Sequence, residues 1–273
     1  MVSSAEFAIL LILLILSKFP LSFPMASVLP LDPAEFTPRF EAAARRAGFR
    51  PERFGEVRGH PLQAYTKRTP GRRPRIYLSA GIHGDEPAPP QALLRLMAEG
   101  FFDGRCTWFL CPLLNPTGFA ARTRENHEKT DLNRDFKNTV STEIRAHIAW
   151  LERQPNFDLT ICVHEDWEST GYYLYELNPA DRPTLAHAMI AAAGTVGPIE
   201  TATVIDGREI AEPGIIRPVS DPLLRELWPE SIYLRRHHSL QSYTTETPSV
   251  LPLEQRIAMH CAALRAAVDR FLR

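Results

Sequence analysis

The sequence has few cysteines, and none of them form a metal-binding pattern. The 273 residues contain four, at Cys106, Cys111, Cys162 and Cys261, with no C-x-x-C pair and no dense framework. In a chain of this length such spacing favours buried free thiols over disulfides. A disulfide-stapled scaffold and a cysteine-ligated metal site are therefore not expected.

An excess of charge of either sign is also missing. Lysine and arginine together number 31 against 32 aspartate and glutamate, which leaves a formal net charge of −1. A protein that binds nucleic acid or a membrane surface by general electrostatic attraction needs a strongly basic balance. We therefore expect no nucleic-acid partner and no stable membrane partner. The 44% hydrophobic content is typical of a globular protein with a buried core.

The marked apolar run is too short to span a bilayer comfortably. Residues 7–16 (FAILLILLIL) are ten apolar residues, whereas a spanning helix needs about 20. The length suits the apolar region of a signal peptide or anchor, although no basic residue precedes it. Alternatively, the start is over-extended and Met25 is the true first residue. We therefore expect residues 1–25 to lie outside the folded domain, 26–273. The protein is then cytoplasmic if Met25 is the start, and exported or periplasmic otherwise.

Hydrophobic periodicity predicts strands that alternate with helices. Strands are predicted at 75–80, 107–112, 158–164, 172–177 and 242–247, and helices at 38–48, 89–99, 141–153, 183–193 and 253–272. The first helix is predicted to start at Pro38 with Thr37 as its N-cap. The last carries one apolar stripe, at Ile257, Cys261, Leu264, Val268 and Phe271. No repeat or flexible linker divides the chain, so the alternation predicts a single α/β domain.

A histidine and a glutamate directly follow the strand predicted at 75–80. His83 and Glu86 lie three residues apart in the segment GIHGDE, so they can converge on one cation. A His-x-x-Glu pair is expected about once by chance in a sequence of this composition, so the pair alone does not indicate a metal site. Its position directly after a strand does favour one. Ligands collect where the strands of α/β sheets end. Gly81 and Gly84 also allow close approach of the backbone there.

A third ligand is expected from the end of another strand. His164 closes the strand predicted at 158–164. A lone histidine in such a position more often bonds to the backbone. Together with His83 and Glu86, however, it completes a His₂Glu set, the pattern of catalytic zinc whose fourth position is left to water. Pro87 excludes an H-x-x-E-H motif, and the sequence has no H-E-x-x-H.

A polar loop between 115 and 138 holds residue types that suit such a site. Without a partner they would form a solvated loop. Facing zinc, an Asp can fix a ligating imidazole through its second N–H. An Arg can stabilise a developing oxyanion, and an Asn/Arg pair can hold a carboxylate. The candidates are Arg124, Asn126, Asp131, Asn133 and Arg134.

These segments resemble those of the zinc carboxypeptidase family, which includes carboxypeptidase A, bacterial murein-peptide amidases and succinylglutamate desuccinylase/aspartoacylase. GIHGDE is similar to the family's first zinc motif, and VHED at 163–166 to its third ligand. NPTGFAARTRENHEKTDLNRDF resembles its NPDG…DLNR segment. TTETP at 244–248 resembles the segment that bears the catalytic glutamate. Four motifs in the family's order are far more specific than one short pattern.

The resemblance implies a fold and a metal. The fold is α/β, with a mixed, largely parallel twisted sheet flanked by helices. One zinc ion per chain is implied at His83, Glu86 and His164, with Asp131 behind His83.

The resemblance also implies roles at the substrate. Glu246 is the catalytic glutamate that activates water, and Arg124 polarises the scissile carbonyl. Asn133 and Arg134 grip the terminal carboxylate. The family's mobile tyrosine has Tyr233 and Tyr243 as candidates, and neither has a convincing spacing. The stretch 205–240 matches no family pattern.

The implied activity is hydrolysis of an amide bond near a free carboxylate, by a metallocarboxypeptidase or peptide amidase acting on a peptide. An N-acyl amino acid deacylase of the aspartoacylase or desuccinylase type is an alternative, as is a non-catalytic binding protein on the same fold. No domain follows the closing helix in this sequence, which favours a compact peptidase or amidase over an aspartoacylase-type enzyme.

Overall fold

The computed structural model describes residues 31–205, 207–210, 212–218 and 221–273. The predicted signal, anchor or over-extended start at 1–25 lies outside the described residues. Within those described, no helix combines the length and the hydropathy that crossing a membrane requires.

The centre of the molecule is a mixed β-sheet. The strands of the described residues are β1 (Arg50–Val57), β2 (His60–Lys67), β3 (Arg75–Ala80), β4 (Thr107–Cys111), β5 (Leu159–Asp166), β6 (Tyr173–Leu177), β7 (Val204–Ile205), β8 (Arg208–Glu209), β9 (Ile215–Ile216) and β10 (Ser242–Pro248). Eight form one sheet in the order β1-β2-β4-β3-β5-β10-β6-β9, and β7 pairs with β8. The central strands β4, β3, β5 and β10 run parallel. Antiparallel pairs join β1 to β2, β2 to β4 and β10 to β6.

Helices cover both faces of this sheet. They are α1 (Pro33–Arg46), α2 (Ala88–Ala98), α3 (Pro116–Ala121), α4 (Thr142–Leu151), α5 (Ala186–Gly194), α6 (Glu230–His237) and α7 (Leu253–Phe271), with 3-10 turns at Leu132–Arg134 and Pro222–Leu224. Helices α1, α2, α5 and α7 bury apolar side chains in one core cluster. Helices α4 and α6 bury theirs in a second cluster. The predicted single α/β domain with a mixed, largely parallel sheet is confirmed.

Strand β5 shows how the sheet divides the two cores. Leu159, Ile161 and Val163 belong to the cluster beneath α2 and α7, while Cys162 belongs to the cluster beneath α6. Successive side chains of a strand point to opposite faces. His164 therefore lies on the α6 face, at the carboxyl end of the strand.

The predicted start of the first helix is wrong. The helix begins at Pro33, where Asp32 accepts a hydrogen bond from the N–H of Ala34 at 2.8 Å and acts as the N-cap. The Asp32-Pro33 pair offers the same cap-and-proline signal five residues before Thr37-Pro38. Burial of Phe36 then holds the extra turn against the core, so that Pro38 lies inside the helix.

The hairpin of β1 and β2 does not follow from hydrophobic alternation. Strand β1 (RPERFGEV) is mostly exposed or half-buried, so its sequence carries little periodic signal. The two strands join at Arg58 and Gly59, whose φ angles of 46° and 80° are typical of a tight type I′ turn. The hairpin is therefore stabilised by its turn and by the buried side chains of β2.

The bounds of the other predicted strands and helices agree with the structure to within a few residues. All four cysteines are free and buried, as expected. The predicted stripe of the closing helix is also confirmed, because Ile257, Cys261, Leu264 and Val268 are buried and Phe271 packs against them.

Candidate active site

The loop after β3 is shaped by two glycines. Gly81 adopts a φ of +66°, a left-handed conformation that favours glycine. At Gly84, a Cβ atom would lie 1.9 Å from the carbonyl carbon of Gly118, so only glycine fits. The N–H of Gly84 donates to the carbonyl of Thr123 at 3.0 Å. These contacts hold the GIHGDE loop against the polar loop. The close approach of the backbone that the two glycines predict is therefore observed.

Three buried side chains converge beside this loop. Nδ1 of His83 lies 2.5 Å from Oε1 of Glu86, and Nδ1 of His164 lies 3.1 Å from Oε2 of the same carboxylate. One donor atom from each residue lies within 4.8 Å of the others. Both imidazoles thus turn the same nitrogen toward one carboxylate, with two nitrogens and a carboxylate aimed at a common point.

The charges of neighbouring groups shift the pKa values of Glu86 and His83. Burial alone would raise the pKa of Glu86, but the two neighbouring imidazoles outweigh it and hold this pKa well below its ordinary value. Burial works in the opposite sense on His83, where the carboxylates of Glu86 and Asp131 nevertheless raise the pKa. The carboxylate is therefore kept ionised, which is the state in which it ligates a metal.

The polar loop brings Asp131 and Arg124 to the same point. Oδ1 of Asp131 lies 3.4 Å from Nε2 of His83, the ring nitrogen that faces away from Glu86. Its other oxygen accepts a hydrogen bond from Nε of Arg124 at 3.0 Å. Nη1 of Arg124 lies 3.3 Å from Nδ1 of His83. Asp131 and Arg124 thus both contact His83, and the position of Asp131 behind this imidazole is the one that the family resemblance implies.

Glu246 lies beside His164 through the register of the sheet. In β10 it is directly opposite His164 of β5 and opposite Tyr173 of β6. Side chains of paired residues share a face of the sheet, so Glu246 lines the same cavity as His164. Its carboxylate forms no hydrogen bond or salt bridge within the described part of the chain. Burial raises its pKa well above the ordinary value, and the carboxylates of Glu86 and Asp166 add to this effect.

Glu165, the other carboxylate next to His164, is held by the fold. Oε1 accepts the N–H of Ala88 at the start of α2 at 2.5 Å, and Oε2 forms a salt bridge with Arg256 of α7. Burial raises its pKa to about 7, against the opposing effect of Arg256. A pKa near 7 would suit a general base. Both oxygens are nevertheless occupied, so Glu165 serves to tie two helices to the sheet.

Asn133 and Arg134 also line the cavity. Asn133 is 8% exposed, and its Oδ1 accepts the backbone N–H of Glu230 at 3.0 Å. Its NH₂ group forms no hydrogen bond among the described residues. Arg134 is half-buried and forms no salt bridge among them; Nη1 donates to the carbonyl of Asn133 at 2.9 Å. The pair therefore presents hydrogen-bond donors to the cavity.

The cavity has a volume of about 240 Å³ and contains tyrosines other than the two candidates. Tyr173 and Tyr175 line it, and the hydroxyl of Tyr173 donates to Asp166 at 2.9 Å. Tyr243 is instead buried in the core, where its hydroxyl donates to Glu176. Tyr233 packs against Phe136 on the far side of α6, away from the cavity.

Asn126, also a candidate in the polar loop, has a structural role. It is 1% exposed and donates to Glu143, while its Oδ1 accepts the N–H groups of Glu128 and Thr130 at 2.9 and 3.0 Å. The loop thus folds around this amide. Cavity residues that sequence reasoning missed are Trp167, Tyr173, Tyr175 and Arg225. None of these four residues belongs to a motif named above. For Tyr173 and Tyr175, the alternation of side chains along β6 indicates only that both lie on the same face of the sheet.

Comparison with known proteins identifies a matching family and similar folds. The family model of the succinylglutamate desuccinylase/aspartoacylase catalytic domain matches residues 72–271. A crystal structure described as a candidate metallopeptidase from Shewanella amazonensis SB2B superposes with a TM-score of 0.76 at 27% identity, over 88% of this chain and 93% of that one. A metallo-carboxypeptidase from Burkholderia cenocepacia shares the fold, with a TM-score of 0.65 at 19% identity over 89% and 70% of the two chains.

Among curated proteins, Carboxypeptidase SOL1 of Arabidopsis thaliana is 28% identical over 135 residues. The match spans 41% of this chain and 24% of that protein, so the chain corresponds to about a quarter of the length of this relative.

Proposed function

The chain belongs to the succinylglutamate desuccinylase/aspartoacylase catalytic-domain family, and from this we propose that it is a zinc-dependent hydrolase that cleaves an amide bond next to a free carboxylate. One observation carries the proposal. Two imidazoles and a carboxylate converge in a cavity that is also lined by Glu246, whose carboxylate has no hydrogen bond among the described residues. Asn133 and Arg134 provide donors in the same cavity.

The donor set of His83, Glu86 and His164 fits zinc. Catalytic zinc sites use three protein ligands, and two histidines with one glutamate are a common set. Ligating histidines usually give their other N–H to a carboxylate, which is the place Asp131 takes behind His83. When bound there, zinc lowers the pKa of water to about 7 and polarises a carbonyl group.

Glu246 would take the proton from the attacking water and pass it to the leaving amine. Its carboxylate needs no rearrangement to do so, because it has no partner to give up within the described residues. Arg124 is held by Asp131 and by its contact with His83. Its charge would stabilise the oxyanion that develops on the scissile carbonyl.

Arg134 and Asn133 would hold the free carboxylate of the substrate. A guanidinium group binds a carboxylate through two parallel hydrogen bonds, and the NH₂ group of Asn133 adds a neutral donor. A substrate held by this carboxylate presents its neighbouring amide bond to the metal centre. This favours a carboxypeptidase or peptide amidase.

Deacylation of an N-acyl amino acid is the second candidate. The specific observation in its favour is the family match over 72–271. Such a substrate carries the same feature, a carboxylate near an amide bond, and uses the same groups. The two activities differ in what lies on the acyl side of the bond.

A substrate panel tests the proposal and separates these activities. The zinc-loaded protein is incubated with C-terminally free peptides, murein peptides and N-acyl amino acids, and the released amine is measured. Each acid is paired with its C-terminal amide. Cleavage of the acids alone supports the proposal, and the acyl group preferred decides between peptidase and deacylase. Equal cleavage of acids and amides, or no cleavage at all by the zinc-loaded protein, would contradict it.

A further inference from the structure

A buried glutamate, Glu230, connects Asn133 to strand β3, which leads into the loop of His83 and Glu86. We propose that Glu230 is a positioning residue that orients Asn133, and that it thereby sets how tightly the site holds the substrate carboxylate. The proposal rests on the proposed function, because it assumes that Asn133 meets a carboxylate. It assigns a task to a residue that touches neither substrate nor metal.

The backbone of Glu230 fixes the amide of Asn133. Glu230 is the first residue of α6, where the N–H has no partner within the helix. Oδ1 of Asn133 accepts this N–H at 3.0 Å. An amide whose oxygen is occupied in this way presents its NH₂ group elsewhere. The contact thus selects the orientation in which Asn133 offers donors, rather than an acceptor, to a carboxylate.

The side chain of Glu230 is in turn fixed by strand β3. Oε1 accepts the hydroxyl of Tyr77 and Oε2 that of Ser79, both at 2.7 Å. The Tyr77 hydroxyl also lies 3.0 Å from Nε2 of His147, which lies in α4. Glu230 is 1% exposed. Neither carboxylate oxygen is left without a donor.

Strand β3 is also the strand that leads into the metal loop. Ser79 lies four residues before His83, so one short segment positions His83 and Glu86 and, through Glu230, the turn at Asn133. The hydrogen bonds therefore link the metal centre to the carboxylate grip. A misplacement of about 1 Å in such an arrangement can cost 100-fold in rate.

The buried carboxylate of Glu230 is not explained by packing alone. Burial raises the pKa of Glu230, which reflects the cost of a carboxylate whose partners are neutral hydroxyl groups. Apolar residues of similar volume often stabilise a core as well or better than buried charged groups. Packing alone would thus be served by a methionine or leucine at 230. A carboxylate, by contrast, binds two donors of β3 and fixes the helix start rigidly.

The test compares a free-acid substrate with its C-terminal amide or ester. Glu230→Ala removes both hydrogen bonds, and Glu230→Gln keeps the shape and part of the hydrogen bonding. For Glu230→Ala we expect KM for the free acid to rise about tenfold, with kcat within about twofold of the wild type. Glu230→Gln should recover most of the loss. Binding of the released amino acid, measured by calorimetry on the zinc-loaded protein, should weaken in parallel.

Two further variants keep the test informative if Glu230→Ala does not fold. Ser79→Ala and Tyr77→Phe each remove one donor at nearly constant volume, and each should raise KM for the free acid by a few fold. Tyr65→Phe is the matched control. Tyr65 is a buried tyrosine of β2 whose hydroxyl donates to Gln63 at 2.9 Å, with no link to α6.

The outcomes separate the two proposals. If the wild type cleaves free acids and the Glu230, Ser79 and Tyr77 variants show unchanged KM and product binding, the role of Glu230 is wrong and the proposed function stands. An equal fall in kcat/KM for acid and amide would also overturn it, since that indicates general damage. Failure of the zinc-loaded wild type to cleave any acid would refute the proposed function instead.

Discussion

Replacing Glu246 by glutamine is the sharpest test of the catalytic assignment. The substitution keeps the shape of the side chain but removes its ability to accept a proton. Because Glu246 is not among the three converging donors, the variant should bind zinc as the wild type does. It should also fold as well, since the carboxylate gives up no hydrogen bond within the described residues.

The size of the loss follows from what surrounds Glu246. General base catalysis typically contributes 10²- to 10⁴-fold, or about 3–5 kcal/mol of transition-state stabilisation. The lower part of this range would apply if another carboxylate could take over. Glu165 is occupied by Ala88 and Arg256. Asp166 accepts the hydroxyl of Tyr173 and the N–H of Glu168. We therefore expect a fall of about 1000-fold or more in kcat.

The assay needs three measurements on the same preparation. Zinc content is measured by elemental analysis, folding by thermal unfolding, and turnover with the substrate that the panel identifies. The expected result is unchanged zinc, unchanged unfolding and the large loss of kcat. A variant that keeps its zinc and more than about a third of wild-type turnover would refute the reasoning. The base would then lie elsewhere, and Glu165 would be the next candidate to test.

Three further variants extend the test to the metal, the carboxylate and the fold. His164→Ala should lower zinc affinity by more than the 10- to 100-fold typical of losing an outer partner, and unchanged occupancy by elemental analysis would remove His164 from the site. Arg134→Lys should reduce kcat/KM for free acids about 10- to 100-fold, because lysine cannot form the paired hydrogen bonds; no change would place the carboxylate elsewhere. Glu165→Gln should leave Arg256 without its buried partner and lower stability by about 3 kcal/mol, seen as a fall in Tm of roughly 10 °C, while the zinc-loaded protein stays active; normal stability with lost activity would make Glu165 catalytic.

The metal half of the site could be predicted from sequence because its geometry is local. His83 and Glu86 lie in one loop of six residues, and His164 ends a strand whose apolar pattern is plain. Gly84 supplied an independent signal, since a close approach of backbone was expected there and is observed. The placement of Glu246 beside His164 depends on the pairing of β10 with β5, which hydrophobic periodicity alone could not predict. The family resemblance implied a catalytic role for Glu246 but no strand order.

The helix α6 escaped prediction for a physical reason. It has eight residues and lies in a proline-punctuated stretch, so its apolar positions are too few to define a period. The short helix α3 was not predicted for the same reason, and its residues were assigned to the polar loop. Its start depends on Asn115, whose side chain accepts the N–H of Gly118. Short helices of this kind are held by their capping contacts and tertiary packing rather than by an amphipathic pattern.

The carboxylate half of the site depends on contacts between distant parts of the sequence. Glu230 is separated by 153 residues from Tyr77, by 151 from Ser79 and by 97 from Asn133. No spacing rule reaches over such intervals, so a residue pattern can reveal Asn133 and Arg134 but not what orients them. The two halves should therefore respond differently to substitution. Under the proposed function, changes in the GIHGDE loop should act directly on the ligands and abolish activity. Changes around α6 should weaken binding of the substrate carboxylate and leave the metal in place. We therefore expect substitutions around α6 to change substrate preference without changing the residues proposed to bind zinc.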